Sequence, residues 1–169
     1  PGRDAAPFSA TEVGAMVRAV AARGAAVTAH STSVEGARIA ALAGVAAIEH
    51  GFRLDHEVVG LMAANQVTLV STLAVLESWR TFASTTQTHR FNSAEGRSTI
   101  AGLRETAHAS VLLAHRAGVR IAAGTDFGGG SLRANQLAWE IETLVAAGLS
   151  PFDALERRHR QWWSAPWRA

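Results

Sequence analysis

The 169-residue chain contains no cysteine, no lysine and no tyrosine, and only 4 prolines. Without cysteine, disulfides, thiolate nucleophiles and Cys-ligated zinc sites are excluded. Without lysine, Schiff-base chemistry and the lysine of a phosphate-binding P-loop are excluded within this chain. All 16 basic side chains are therefore arginine, and the pI near 10.8 follows, because almost nothing titrates between neutrality and arginine. The net charge is only +2, so the high pI makes no case for a nucleic-acid partner. No apolar run approaches the roughly 20 residues that span a bilayer. Pro1-Gly2-Arg3-Asp4 also lacks the charged-then-apolar layout of a secretory signal. A cytoplasmic protein with neither nucleic acid nor membrane as partner is the expectation. At 48% hydrophobic residues the chain can bury a core.

What is present alternates short apolar runs with longer amphipathic stretches. Ser9 and Glu12 have capping-box spacing and predict a helix over residues 10–23, stopped by Gly24. Residues 26–30 predict a buried strand. Thr32 and Glu35 predict a second capping box, for a helix ending at Gly44, and residues 45–49 a second strand leading into His50-Gly51. Asp55 is placed to cap a helix over residues 56–65, and residues 67–70 predict a third strand. Residues 73–98, with Trp79, Phe82, His89, Arg90 and Phe91 among polar residues, predict a long excursion holding a helical turn. A helix over 94–117 then feeds a fourth strand at 119–123. It is followed by Gly124-Thr125-Asp126, a glycine-rich turn, a helix over 133–147 and a short one opened by Ser150-Pro151. Four βα units in succession predict an α/β fold with a parallel sheet and outer helices. The first unit lacks a glycine-rich phosphate loop at its strand-to-helix turn. A (β/α)-barrel segment therefore fits better than a doubly wound sheet. A complete barrel takes about 250 residues, so these would form about half of one.

In a barrel the chemistry stands at the C-terminal ends of the strands. Those ends carry His30, His50, Thr72 and Asp126. Imidazole nitrogen and carboxylate oxygen are ligands that zinc and similar divalent ions accept. His30 and His50 are one βα repeat apart, which predicts adjacent strands and equal height, with Asp126 facing them across the mouth. A histidine at a strand end is in other settings a hydrogen-bonding loop residue. The other histidines are read more plainly: His56, His108 and His115 as surface residues of helices, His89 as a candidate substrate contact, and His159 as part of an anomalous tail. Gly128-Gly129-Gly130 has neither a following lysine nor the GxGxxG spacing, and reads as a tight turn beside Asp126. Trp79, Phe82 and Phe91 read equally as a lid or as the apolar underside of a packed surface loop. Arg90, Arg133 and Asn135 are candidates to meet a substrate carboxylate near the mouth.

Val27-Thr28-Ala29-His30, Ile48-Glu49-His50-Gly51 and Ala123-Gly124-Thr125-Asp126, in this order and spacing, resemble the later metal-site motifs of the amidohydrolase superfamily. The nearest branch is that of the imidazolonepropionase-like and Xaa-Pro dipeptidase-like enzymes. The resemblance implies a partial TIM (β/α)8 barrel comprising the fifth to eighth βα units. His30 and His50 would be the fifth- and sixth-strand metal ligands, and Asp126 the eighth-strand metal ligand and catalytic acid/base. One or two divalent ions, with zinc the leading identity, would activate water against a C–N bond in an amide, a cyclic amide or an Xaa-Pro dipeptide. The chain departs from the pattern in several places. It has no His-x-His and no lysine to carboxylate, and Ser71 stands where such enzymes commonly carry proline.

Residues 1–155 thus read as the C-terminal half of such a barrel, whose partners would be a small amide or dipeptide substrate and the missing N-terminal half, or a second copy in a homo-oligomer. The competing reading is a non-catalytic truncated pseudoenzyme or gene-model fragment. Residues 156–169 read as an anomalous tail carrying three of the five tryptophans. Gln161-Trp162-Trp163 is encoded only as CAA or CAG followed by TGG TGG, and one base later this reads Asn or Ser, then Gly-Gly. With Thr-Val before it and Ala-Leu-Leu-Gly after it, the shifted frame restores the way the resembled branch continues. Resequencing the locus is expected to reveal a frameshift near residues 156–158; close relatives carrying the same tail in frame would refute it.

Overall fold

The computed structural model describes residues 6–128 and 136–156. Arg133, Asn135, most of the predicted glycine turn and nearly all of the tail lie outside the described residues.

Four strands, β1 (Thr28–Ser31), β2 (Ala47–His50), β3 (Thr68–Ser71) and β4 (Ile121–Ala123), form one sheet in the order β1-β2-β3-β4, parallel throughout. Parallel pairing requires a crossover after each strand, and the helices supply it. α1 (Ala10–Ala21) opens with the predicted capping box between Ser9 and Glu12. α2 (Val34–Ala43) joins β1 to β2, but its cap is Ser33, whose hydroxyl accepts from Gly36 N–H, one residue later than the Thr32 box. Gly44 ends α2 with a left-handed backbone, which a residue without Cβ adopts at little cost. α3 (His56–Ala64) is capped by Asp55, as its spacing indicates.

The excursion after β3 is mostly helical, contrary to the single turn expected. α4 (Leu73–Thr81) starts directly at the strand end and is followed by a 3-10 turn (Phe82–Ser84), α5 (His89–Asn92) and the 23-residue α6 (Ala94–Arg116). The Ser, Thr and Gln run that suggested a loop supplies turn and cap hydrogen bonds instead. Thr86 and Thr88 bond each other, and Ser93 caps α6. α7 (Leu137–Ala146) and α8 (Pro151–Glu156) complete the described chain. No helix among the described residues is long and apolar enough to cross a membrane.

The core lies on the helix side of the sheet. Ile48, Leu69 and Ile121 stand in register across three strands and are fully buried. Val58, Met62, Leu73, Leu76, Val111 and Leu144 from the helices pack over them. Burying such side chains contributes about 2 kcal/mol each. His108 is not the surface residue expected. It is half-buried beside Glu77 and Arg104, and its Nε2 has no hydrogen-bond partner among the described residues. Burial, with Arg104 adding, holds its pKa below the ordinary value.

One fully buried acid ties the last helices to the sheet. Glu140 of α7 accepts from the Ser71 hydroxyl at 2.5 Å and from Ala74 N–H at 2.7 Å, and Leu73 N–H donates to it as well. It thereby caps α4 from another helix. The residue at the cap position, Thr72, makes no side-chain cap bond of its own. Burial pushes the Glu140 carboxyl up to about 7, against the three hydrogen bonds that lower it. Because this lies above the ordinary 4.5, the folded chain holds the proton more tightly than the unfolded one. Glu140's contribution to stability is therefore greatest below about 4.5 and falls by about 3 kcal/mol as the pH rises to about 7. Urea titrations at pH 5 and pH 7.5 should show this fall in the wild type and a much smaller one in Glu140→Gln. Equal falls in both would remove the assignment.

Candidate functional site

Parallel strands deliver all their C-terminal ends to one edge of the sheet, where His30, His50, Thr72 and Asp126 stand. The expectation of equal height for the two histidines is corrected by the register. His30 pairs with Glu49, and His50 pairs with Ser31, one residue further along. In a regular pleat, one residue's offset would send the two imidazoles to opposite faces. The backbone resolves this. His50 has φ of +73° and Gly51 φ of +55°, so the pleat breaks at the strand end. A Cβ on Gly51 would lie 2.5 Å from Leu69 Cδ1, so only glycine fits there without displacing core. The His50 ring consequently stands edge-on to His30, with centroids 4.5 Å apart.

A left-handed non-glycine residue is uncommon, and its strain persists only where surroundings enforce it. Among the described residues there are three: His50, Gln66 and Asp126 (φ +48°). Two of these are the strand-end residues singled out by the sequence.

His50 is buried and His30 is exposed. Nδ1 of His50 lies 2.8 Å from Thr72 Oγ1. If Nδ1 carries the proton and donates to Thr72, Nε2 keeps its lone pair for a ligand. This explains why Thr72 does not cap α4: its hydroxyl is engaged with His50, and Glu140 takes over the cap. Burial lowers the His50 pKa, His30 adds to this, and the charge of Asp126 opposes it. Burial thus favours the neutral imidazole that metal ligation requires.

Glu49, a residue of β2 and of the second motif with no role assigned from sequence, pairs with His30 and so shares its face of the sheet. Burial raises its pKa, a hydrogen bond to Thr28 lowers it, and Asp126 raises it. The signal was available in the alternation of β2, since a Glu pairing with His30 must share its face.

The structure brings His30 and His50 together and places the charge of Asp126 near enough to act on both His50 and Glu49. Two imidazoles with a nearby carboxylate suit a divalent ion in chemical type. Among the described residues, however, no group of three or more His, Asp or Glu side chains is positioned to hold one. Trp79 and Phe82 each pack against Phe91, with ring centroids 6.1 Å and 5.1 Å apart. Arg90 lies over the Trp79 ring at 4.1 Å.

Comparison with solved structures places this arrangement beside known ones. The chain is similar to an Xaa-Pro dipeptidase with methionine bound in its active site (TM-score 0.78, 27% identity, covering 95% of this chain and 38% of that one). It is also similar to A. niger ochratoxinase (0.75, 28%, 92% and 33%) and to an amidohydrolase (0.72, 28%, 89% and 35%). Amidohydrolases and Xaa-Pro dipeptidases are thus its structural neighbours, as the motif resemblance implied. The chain spans 33 to 38% of their length. No family model and no curated protein sequence matches it.

Removing the Thr72 hydroxyl should free the His50 ring. Thr72→Val is expected to lower stability by about 1 kcal/mol and to shift the His50 tautomer ratio in nitrogen-15 NMR spectra. An unchanged ratio would show that the hydroxyl does not set the tautomer.

Proposed function

We propose that the chain supplies the fifth to eighth βα units of a metal-dependent hydrolase of C–N bonds. The observation that carries this reading is the imidazole pair, 4.5 Å apart at the carboxyl edge of a parallel sheet, with one ring tethered through Nδ1. His30 and His50 would hold a divalent ion, zinc by the chemistry of the donors, with Asp126 as the third ligand. The ion's contribution, when bound, is Lewis-acid activation of water and of the scissile carbonyl. Asp126 would accept a proton from the attacking water and return it to the leaving nitrogen, so that amide plus water gives acid plus amine. Thr72 fixes the His50 ring, and Glu140 holds the segment that carries Thr72. The substrate would be a small amide, a cyclic amide or an Xaa-Pro dipeptide, and the rest of the ligand set would come from a further barrel half.

A second reading is favoured by the absence, among the described residues, of a three-ligand cluster: a chain that binds metal weakly and does not turn over. Calorimetric titration with zinc, followed by an amide-hydrolysis assay, separates the two. Weak zinc binding is expected, falling roughly a hundredfold in His50→Ala or His30→Ala. Binding that survives both substitutions would dismiss this site, and hydrolysis by the isolated chain would dismiss the non-catalytic reading.

A further inference from the structure

The front of α7 opens weakly and is tied down at one point. Gln136, at its cap position, makes no side-chain cap bond. The Glu140 N–H reaches the Gln136 carbonyl oxygen only at 3.4 Å, against about 2.9 Å in an ordinary bond. Over residues 136–142 Glu140 is the one buried residue, whereas Thr143, Leu144, Ala147 and Leu149 hold the far half of the helix and the turn beyond it. The first turn of α7 is thus fastened to β3 and α4 through a carboxyl more than through apolar packing.

At the other end of that fastening, Thr72 is held away from the conformation its position favours. Ser9, Ser33, Asp55 and Ser93, the caps of α1, α2, α3 and α6, have extended backbones, and each side chain accepts a backbone N–H. Thr72, at the same position of α4, has φ −139° and ψ 42° and makes no such bond. A threonine cap takes the N–H of the second or third helical residue. The second is Ala74, whose N–H Glu140 already holds at 2.7 Å. The Thr72 hydroxyl stands instead 2.8 Å from His50 Nδ1, and both residues are buried. The first turn of α4 can therefore be satisfied in two ways: by Glu140 from α7, or by Thr72 in an extended backbone with its hydroxyl turned away from His50. The Leu73 N–H tells them apart. Glu140 accepts from it, but a cap side chain does not serve the first helical residue.

We propose that the front of α7 is a latch on the histidine pair. Closed, Glu140 caps α4 and reserves the Thr72 hydroxyl for His50. Open, with the first turn of α7 unwound, Thr72 moves to the cap and releases the imidazole. Unwinding one uncapped turn with a single buried anchor is a local opening, which costs far less than global unfolding. Glu140 is then a positioning residue that touches neither histidine. The proposal rests on the hydrolase reading only for its consequence, since a ring freed at Nδ1 holds a metal less tightly at Nε2.

The test uses the full chain without metal and reads amide exchange at Leu73 and the His50 tautomer by nitrogen-15 NMR. Gln136→Asp supplies the cap that α7 lacks. It should slow Leu73 exchange about fivefold, the equivalent of one cap, and raise the share of His50 protonated at Nδ1. Glu140→Leu should shift the tautomer ratio the other way, and adding Thr72→Val to it should shift the ratio no further. Glu140→Gln, whose amide oxygen accepts the same N–H groups, should keep the wild-type ratio. Slower exchange in the first turn of α7 with Leu73 unchanged, a wild-type ratio in folded Glu140→Leu, or additive shifts in the double variant would overturn the proposal. If Glu140→Leu does not fold, Gln136→Asp decides alone. With zinc added, Glu140→Leu should bind roughly tenfold more weakly than the wild type. Absence of zinc binding with the metal-free results intact removes the hydrolase reading alone. Failure of the metal-free results with zinc still held by His50 removes the latch alone.

Discussion

Every strand in this sheet runs in the same direction, and that constraint governs what the rest of the chain can do. It obliges each strand to be followed by a helical return, puts the apolar row Ile48, Leu69 and Ile121 under those helices, and gathers all four strand ends at one edge. Polar side chains at the ends of β1, β2 and β4 are thereby brought together although they are far apart in sequence. The same arrangement leaves β3's end to be managed, because α4 begins there with hardly a connecting residue.

That management uses an acid in a place where acids are rarely found. Glu140 is fully buried, yet it accepts three hydrogen bonds from Ser71, Leu73 and Ala74. A leucine there would avoid the desolvation penalty but would strand the N–H groups that open α4. Ser71 matters here because its hydroxyl donates to the acid. Thr72, relieved of capping, is left to orient His50. The buried acid that holds the start of α4 thus also leaves the Thr72 hydroxyl beside His50 at the strand ends.

Much of this was legible in the sequence. Ser9 with Glu12, Asp55 before α3 and Gly44 after α2 act locally, through hydrogen bonds and backbone angles that a few residues determine, and the structure has each where the spacing places it. The two histidines were legible as strand ends. What could not be read was parity. Whether His50 lies level with His30 or one residue beyond it depends on pairing between strands, and the left-handed backbone that reunites the rings appears only in three dimensions. Glu140 was invisible for a related reason, since its partners lie 66 to 69 residues away. The excursion misled because serine and threonine are loop residues by composition and helix caps by position. Arg90 was legible as a charge near the mouth, and Trp79 beneath it gives that charge a direction.

The contact between Gly96 and the Arg90 carbonyl has a mechanical side. It clamps the short α5 to the front of α6, a rod of 23 residues and therefore about 34 Å long. The far end of that rod passes through Gly118 into β4, the strand that leads to Asp126. One continuous helix therefore has the segment that carries Arg90 packed at its start and the turn into β4 at its end.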